Sequence, residues 1–113
     1  MTLPVSFFAR AFAHRGLHDA SVAENSMAAF RAAIDAGYGI EMDIQPSRDS
    51  VPMVFHDYDL GRLTGLLGPI AQRSAADLGD IELSGGGGTI PTLAAVLELV
   101  AGRTPILLVL IHL

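Results

Sequence analysis

Apolar and polar side chains alternate most strictly in "GIEMDIQ", residues 39–45. Ile40, Met42 and Ile44 fall on one face of an extended chain and Glu41 and Asp43 on the other, the period of two that marks a strand. Upstream, "FFARAFA", residues 7–13, reads as a mostly buried strand that stops at His14. Between the two, "ENSMAAFRAAIDAG" changes to the period of a helix, with Met27, Phe30, Ile34 and the intervening alanines along one side. Asn25 or Ser26 offers a short polar side chain to the free amides of the first turn. Gly37 is placed to end the helix in a left-handed conformation. "VPMVFHD" follows as a further short extended segment ending at His56.

The pattern weakens across residues 57–91, a long connection in which Ser74 and Asp77 fit a short capped helix. "SGGGGT", residues 84–89, reads there as a flexible loop or linker. "TLAAVLELVAG" is the second clear helix: Thr92 caps it, Leu93, Val96, Leu97 and Val100 share a face, and Gly102 lies past its end. "TPILLVLIHL" is apolar throughout, which suits a parallel strand covered on both faces. The order strand, helix, strand, extension, helix, strand predicts an α/β fold.

Composition narrows the picture. A chain of 113 residues, 50% hydrophobic and 17% charged, supports one folded domain rather than a disordered segment. Without cysteine there is no disulfide framework and no sign of the redox compartment. All seven positive charges are arginine, the net charge is −5 and no basic run exists, so no nucleic-acid partner is expected. No stretch reaches the roughly 18 apolar residues of a membrane span. "MTLPVSFFARAFA" lacks a basic leader region and contains Arg10, so it reads as a strand and not a signal peptide. With no export signal, a cytoplasmic location is the default expectation.

Glu41 and Asp43 are the sharpest chemical feature. Two apart on a strand, they leave the same face roughly 7 Å from each other along the backbone. Buried together they repel, and one stays protonated unless a cation sits between them. Oxygen-rich sites of this kind suit Mg²⁺ or Ca²⁺. The alternative is a solvated polar face on an edge strand. His14 and His56 each end an apolar segment, and in parallel α/β folds ligands bind beyond the carboxyl ends of strands. There a histidine serves as acid or base near neutral pH, or simply hydrogen-bonds at a strand end. Arg15 presents a planar fork to a phosphate or carboxylate, or forms a surface ion pair. His18, past Gly16, is expected in solvent. Three successive strand ends carrying His14–Arg15, Glu41/Asp43 and His56–Asp57 point to one site.

"AHRG", "ENSMAAFRAAIDAG" and "IEMDIQPSRDSVPMVFHDYDLGRLTG" together resemble the start of the glycerophosphodiester phosphodiesterase family. That family's pattern is a His-Arg-Gly, a Glu-Asn-Thr/Ser helix cap, a Glu-x-Asp strand, and a His-Asp followed by Leu, Arg, Thr and Gly. "IPTLAAVLELV" resembles the helix before its third barrel strand. The resemblance implies a (β/α)₈ TIM-barrel type fold with a small insertion after the second barrel strand. Residues 1–113 would be the N-terminal part of such a barrel, about three of its eight βα units, and 57–91 a short form of the insertion. It further implies that Glu41 and Asp43 hold a divalent metal, Mg²⁺ or Ca²⁺, and that His14 and His56 form the acid–base pair. Arg15 would bind the substrate phosphate, with Glu24 and Asn25 supporting the first loop. The implied activity is metal-dependent hydrolysis of glycerophosphodiesters, small-molecule substrates, to an alcohol and glycerol 3-phosphate.

Two departures qualify the implied activity. Leu110 and His112 stand where the family's third strand carries a glutamate and a lysine. A barrel needs about 250 residues, and the last strand here is an apolar edge that invites pairing with another chain. The competing readings are a truncated, non-catalytic, self-associating α/β fragment with a vestigial site, and a phospholipase of the sphingomyelinase D type. The Arg-Gly after His14 and the "ENS" cap fit the phosphodiesterases better than the latter.

Overall fold

The alternating segment forms the strand around which the rest is arranged. A computed structural model of the protein describes residues 11–112, and residues 7–10 of the first expected strand lie outside them. β1 spans Phe12–His14, α1 Met27–Asp35, β2 Gly39–Pro46 and β3 Pro52–Val54. α2 (Gly61–Thr64), a 3₁₀ turn (Ile70–Gln72) and α3 (Ala75–Gly79) follow, then α4 (Leu93–Val100) and β4 (Ile106–Leu110).

β2 is central. β1 lies parallel to it, from Phe12 opposite Gly39 to His14 opposite Glu41. β4 lies parallel along its other edge, from Ile40 opposite Ile106 to Ile44 opposite Leu110. Glu41 and Asp43 are therefore buried in a middle strand, and the solvated-edge alternative falls.

The segment leading to His56 departs from the expectation of three successive parallel strand ends. β3 is antiparallel to β2, pairing Ile44 with Val54 and Pro46 with Pro52. The turn that reverses it is closed by the Ser47 amide donating to the Val51 carbonyl at 2.9 Å. Because β4 fills one edge of β2 at Ile44, β3 shares the edge used by β1. The ends of β1 and β3 thus run toward each other and meet beside residues 42–43, where the Phe55 amide donates to the Asp43 carbonyl at 3.0 Å.

α1 and α4 cover one face of the sheet. Phe30, Ala33, Val96 and Val100 pack on Ala13, Ile40, Met42, Ile44 and Val54 in the first core. Each helix begins where a short side chain accepts from a free first-turn amide: Ser26 from Ala29, Thr92 from Ala95. Ser74 does the same for α3 through the Asp77 amide. The buried face of α4 is narrower than expected, because Leu97 is exposed and Leu99 packs instead. β4 is a parallel strand as expected, but Leu107, Leu108, Val109 and Leu110 are exposed.

Residues 57–91 carry a second core. Leu60, Ile70, Leu78, Ile81, Leu83 and Ile90 close on Met53 and Phe55 from the β3 segment and on Ala23. The glycine run is not a flexible linker. The Gly86 carbonyl accepts from Ala23 at 2.9 Å and the Gly87 carbonyl from Ala28 at 3.4 Å, docking the run on the start of α1. Gly87 has φ +102°, and a Cβ there would lie 2.7 Å from Ser26 Oγ. Gly87→Ala is therefore expected to cost roughly 1–3 kcal/mol in urea unfolding. Unchanged stability would mean that the run does not pack.

Candidate active site

β1 ends in a turn that only glycine completes. Arg15 has φ +59° and Gly16 φ +80°, and a Cβ on Gly16 would lie 2.8 Å from Ala29 Cβ. The chain thereby turns against α1 and directs Arg15 along β2. The Arg15 amide donates to Glu41 Oε2 at 2.9 Å. Its Nη1 donates to Glu24 Oε2 at 3.0 Å, and its Nε lies 3.3 Å from Asp43 Oδ2. Asn25, also left-handed at φ +54°, donates its amide to the Arg15 carbonyl at 2.7 Å and its Nδ2 to Asp43 Oδ2 at 3.1 Å. Two strained residues therefore hold each other in place across the carboxylates. His14 is largely exposed, with Nε2 3.7 Å from Glu41 Oε2.

Burial pushes the Glu41 carboxyl up from its ordinary range. The nearby Asp43 carboxylate adds to this, against the amide bond from Arg15. The pair is thus a like-charged cluster short of compensation.

The second arm of the site runs from β3. His56 Nδ1 lies 2.9 Å from Asp57 Oδ1. Arg62, on α2, grips both Asp57 oxygens, with Nε to Oδ2 at 2.7 Å and Nη2 to Oδ1 at 3.0 Å. It also forks Glu24, with Nη1 to Oε1 at 2.9 Å and Nη2 to Oε2 at 3.0 Å. The bond from Arg62 holds the Asp57 carboxyl down at about 2, although partial burial opposes this. Burial likewise opposes ionisation of Glu24, but Arg62 and Arg15 together outweigh it and lower its pKa. Arg62 in turn is raised above its ordinary value, first by Asp57 and then by Glu24.

The candidates thus join in one chain of contacts. It runs from His56 through Asp57, Arg62, Glu24 and Arg15 to Asp43 and Glu41, with His14 at the far end. Two further residues support the site: Gln45, and Arg62, the arginine of the motif that follows His-Asp. Gln45 continues the row of Glu41 and Asp43; it is buried, and its Nε2 donates to the carbonyls of Phe55 and Asp57, both at 2.8 Å. It therefore grips the main chain on either side of His56. Its signal was the continued alternation past Asp43. Arg62 stood in the quoted "HDYDLGRLTG" without a role, and its position five residues past Asp57 was the available hint. His18 is exposed, as expected.

Two buried carboxylates on neighbouring same-face positions of one strand form a hard-oxygen donor pair, and they fit a divalent cation such as Mg²⁺ or Ca²⁺. Among the described residues no group of three or more His, Cys, Asp or Glu converges on a common point. Leu110, the expected counterpart of a third carboxylate, pairs with Ile44 and so lies in the opposite row; Val109 is level with Asp43. His112 sits beside the second arm, with Nε2 3.2 Å from the His56 carbonyl and its ring edge-on to Tyr58. The described residues offer two carboxylates, and a hard cation completes such a set with water or substrate.

Fold and site together define the class. This is an α/β chain of the (β/α)₈-barrel type, partial in extent, with a polar site built on its central strand. The chain belongs to the Glycerophosphoryl diester phosphodiesterase family, whose sequence profile matches residues 14–109. It is 40% identical over 100 residues to a glycerophosphodiester phosphodiesterase of Bacillus altitudinis, covering 82% of this chain and 40% of that protein. With a probable glycerophosphodiester phosphodiesterase 2 of Mycobacterium tuberculosis it shares 38% over 88 residues, 77% of this chain and 33% of the other. A glycerophosphodiester phosphodiesterase structure from Agrobacterium tumefaciens superposes with a TM-score of 0.80 at 31% identity, covering 89% of this chain and 46% of that one. A phosphodiesterase from Oleispira antarctica, solved with the product sn-glycerol-3-phosphate, gives 0.80 at 29% identity, covering 89% and 44%. The chain therefore spans less than half the length of these relatives.

The Asp57 pKa sets a pH dependence. An unfolded aspartate titrates near 3.9, and folding lowers Asp57 to about 2. A depressed carboxyl contributes stability that is fully present above the unfolded value and disappears as pH falls through the folded one. Urea midpoints are therefore expected to drop between about pH 4 and pH 2. Asp57→Asn should lower the neutral-pH midpoint and flatten that drop; an unchanged acid limb would contradict the Arg62–Asp57 bond.

Proposed function

We propose that this chain carries the acid–base and phosphate-binding corner of a phosphoric diester hydrolase acting on glycerophosphodiesters. The observation that carries this reading is the continuous contact chain from His56 to the Glu41/Asp43 pair, with Arg15 in its middle. Residues 1–113 correspond in this reading to the N-terminal part of the barrel, and 57–91 to a short insertion. The relatives named as glycerophosphodiester phosphodiesterases, and the Oleispira structure with bound glycerol 3-phosphate, support the substrate class.

The division of labour follows from the chemistry. Glu41 and Asp43 hold a divalent cation, Mg²⁺ or Ca²⁺, whose charge when bound offsets the negative charge that develops on the phosphoryl oxygens. Arg15, its guanidinium plane fixed by Glu24 and Asp43, orients the phosphate. Glu24 and Asn25 keep that loop in its left-handed conformation. One histidine of the pair His14 and His56 takes the proton of the nucleophile, a water or the substrate's own hydroxyl. The other returns a proton to the leaving alkoxide and releases the alcohol; attack by water gives glycerol 3-phosphate directly, whereas attack by the hydroxyl gives a cyclic phosphate that a water then opens to glycerol 3-phosphate.

One observation favours a second reading. The exposed apolar residues Leu107, Leu108, Val109 and Leu110 of β4 suit a self-associating module with a vestigial site. Hydrolysis of glycerophosphocholine with and without a chelator separates the two. The hydrolase reading expects turnover that EDTA abolishes and added Mg²⁺ or Ca²⁺ restores. His14→Ala and His56→Ala should each lower kcat/KM by about 10²–10⁴-fold. Chelator-insensitive turnover would remove the metal role. A soluble oligomer by light scattering, with no turnover and no affinity for either cation, would select the second reading.

A further inference from the structure

We propose that Arg62 is a positioning residue that fixes the ring orientation and tautomer of His56 through Asp57, and holds Arg15 in register with it through Glu24. This rests on reading His56 as one of the acid–base pair.

The geometry of the guanidinium carries the inference. Arg62 uses its Nε edge on one carboxylate and its Nη1 edge on the other, with Nη2 shared between them. The four bonds run from 2.7 to 3.0 Å. A bidentate fork of this kind defines the plane of each carboxylate as well as its distance. Asp57 is thereby unable to rotate away, and its Oδ1 stays 2.9 Å from His56 Nδ1. An ionised carboxylate accepts and never donates. With Asp57 ionised, the proton of a neutral His56 must sit on Nδ1, leaving Nε2 unprotonated and directed away from Asp57. A free imidazole has no such fixed tautomer, and the bond at one ring nitrogen decides which nitrogen does chemistry. Gln45 complements this from the other side by fixing the carbonyls of Phe55 and Asp57, so the main chain of His56 is held independently of Arg62. Loss of Arg62 should therefore free the ring without displacing the backbone.

The same guanidinium reaches the opposite loop. Glu24 accepts from Arg62 and Arg15 at once, and Glu24 Oε2 takes a donor from each. Arg62 belongs to α2, in the segment with its own core, so that segment acts as a bridge between the β1 turn and the β3 end. A lysine cannot replace it, since one ammonium has no planar fork to satisfy two carboxylates in fixed planes.

Long-range ¹H–¹⁵N correlation spectra of the full chain, recorded at a pH where the imidazoles are neutral, test this without relying on turnover. The His56 signal is assigned by its loss in His56→Asn. The wild type is expected to show the Nδ1–H form at His56. Arg62→Ala should shift it to a mixture of tautomers, Asp57→Asn should do the same, and the double variant should go no further than either alone. Exposed His18 and the backbone amide spectrum report on the fold. If Arg62→Ala does not fold, Arg62→Lys is read instead, with the same loss of the Nδ1–H form. A wild-type His56 in the Nε2–H form, or an Nδ1–H form retained in a folded Arg62 variant, overturns the inference. Where turnover is measurable, it should fall on the order of 10–100-fold in these variants. A changed tautomer with wild-type turnover would overturn the acid–base role of His56 and leave the positioning intact.

Discussion

Two like-charged carboxylates buried on one face of a central strand are the constraint on which this structure turns. Glu41 and Asp43 lie side by side in β2, and burial with mutual repulsion pushes Glu41 upward. Such a pair persists in a fold only when donors and cations are arranged around it. The Arg15 amide, the Arg15 guanidinium and the Asn25 amide do this from the β1 turn. Two left-handed non-glycine residues and a glycine with no room for a Cβ are the conformational cost of bringing those donors to bear.

The second constraint follows from the first. Arg15 alone is one positive charge among Glu24, Glu41 and Asp43. Arg62 brings another, and with it ties Asp57 and His56 into the same network. The segment that supplies Arg62 has its own apolar core and docks on the start of α1 through a packed glycine run. It packs on the β3 segment and on Ala23, and so touches the approaches to both histidines. Charge compensation of the buried carboxylates and the contact to His56 thus belong to one hydrogen-bonded network.

Much of the fold was legible along the chain. The period of two in residues 39–45 placed β2 and divided its faces correctly, because side chains on a pleated strand alternate whatever surrounds them. Helix caps at Ser26, Ser74 and Thr92 were legible too, since a cap depends on residues within one turn of itself. The motif residues meet in one chain of contacts, although by an antiparallel return at His56 and not by three parallel strand ends. Less legible was anything set by pairing across the sequence. An extended segment such as "VPMVFHD" reads the same in either direction, so its antiparallel return was missed. The glycine run looked like a linker because its partners, Ala23 and Ala28, lie some sixty residues upstream. The register of β4, which puts Val109 and not Leu110 level with Asp43, likewise depends on a neighbour that local sequence does not name.

The sequence by itself determined the elements, their caps, the split faces of β2 and the identity of the charged residues. Each of these depends on chemistry within a few positions. The tertiary structure alone decided how the charges are shared. It brought β1 and β3 end to end on one edge of β2, and it set Arg62 on Asp57 and Gln45 on the main chain around His56. Such roles arise from distances between segments far apart in the chain. No local pattern encodes which carboxylate a given guanidinium will face.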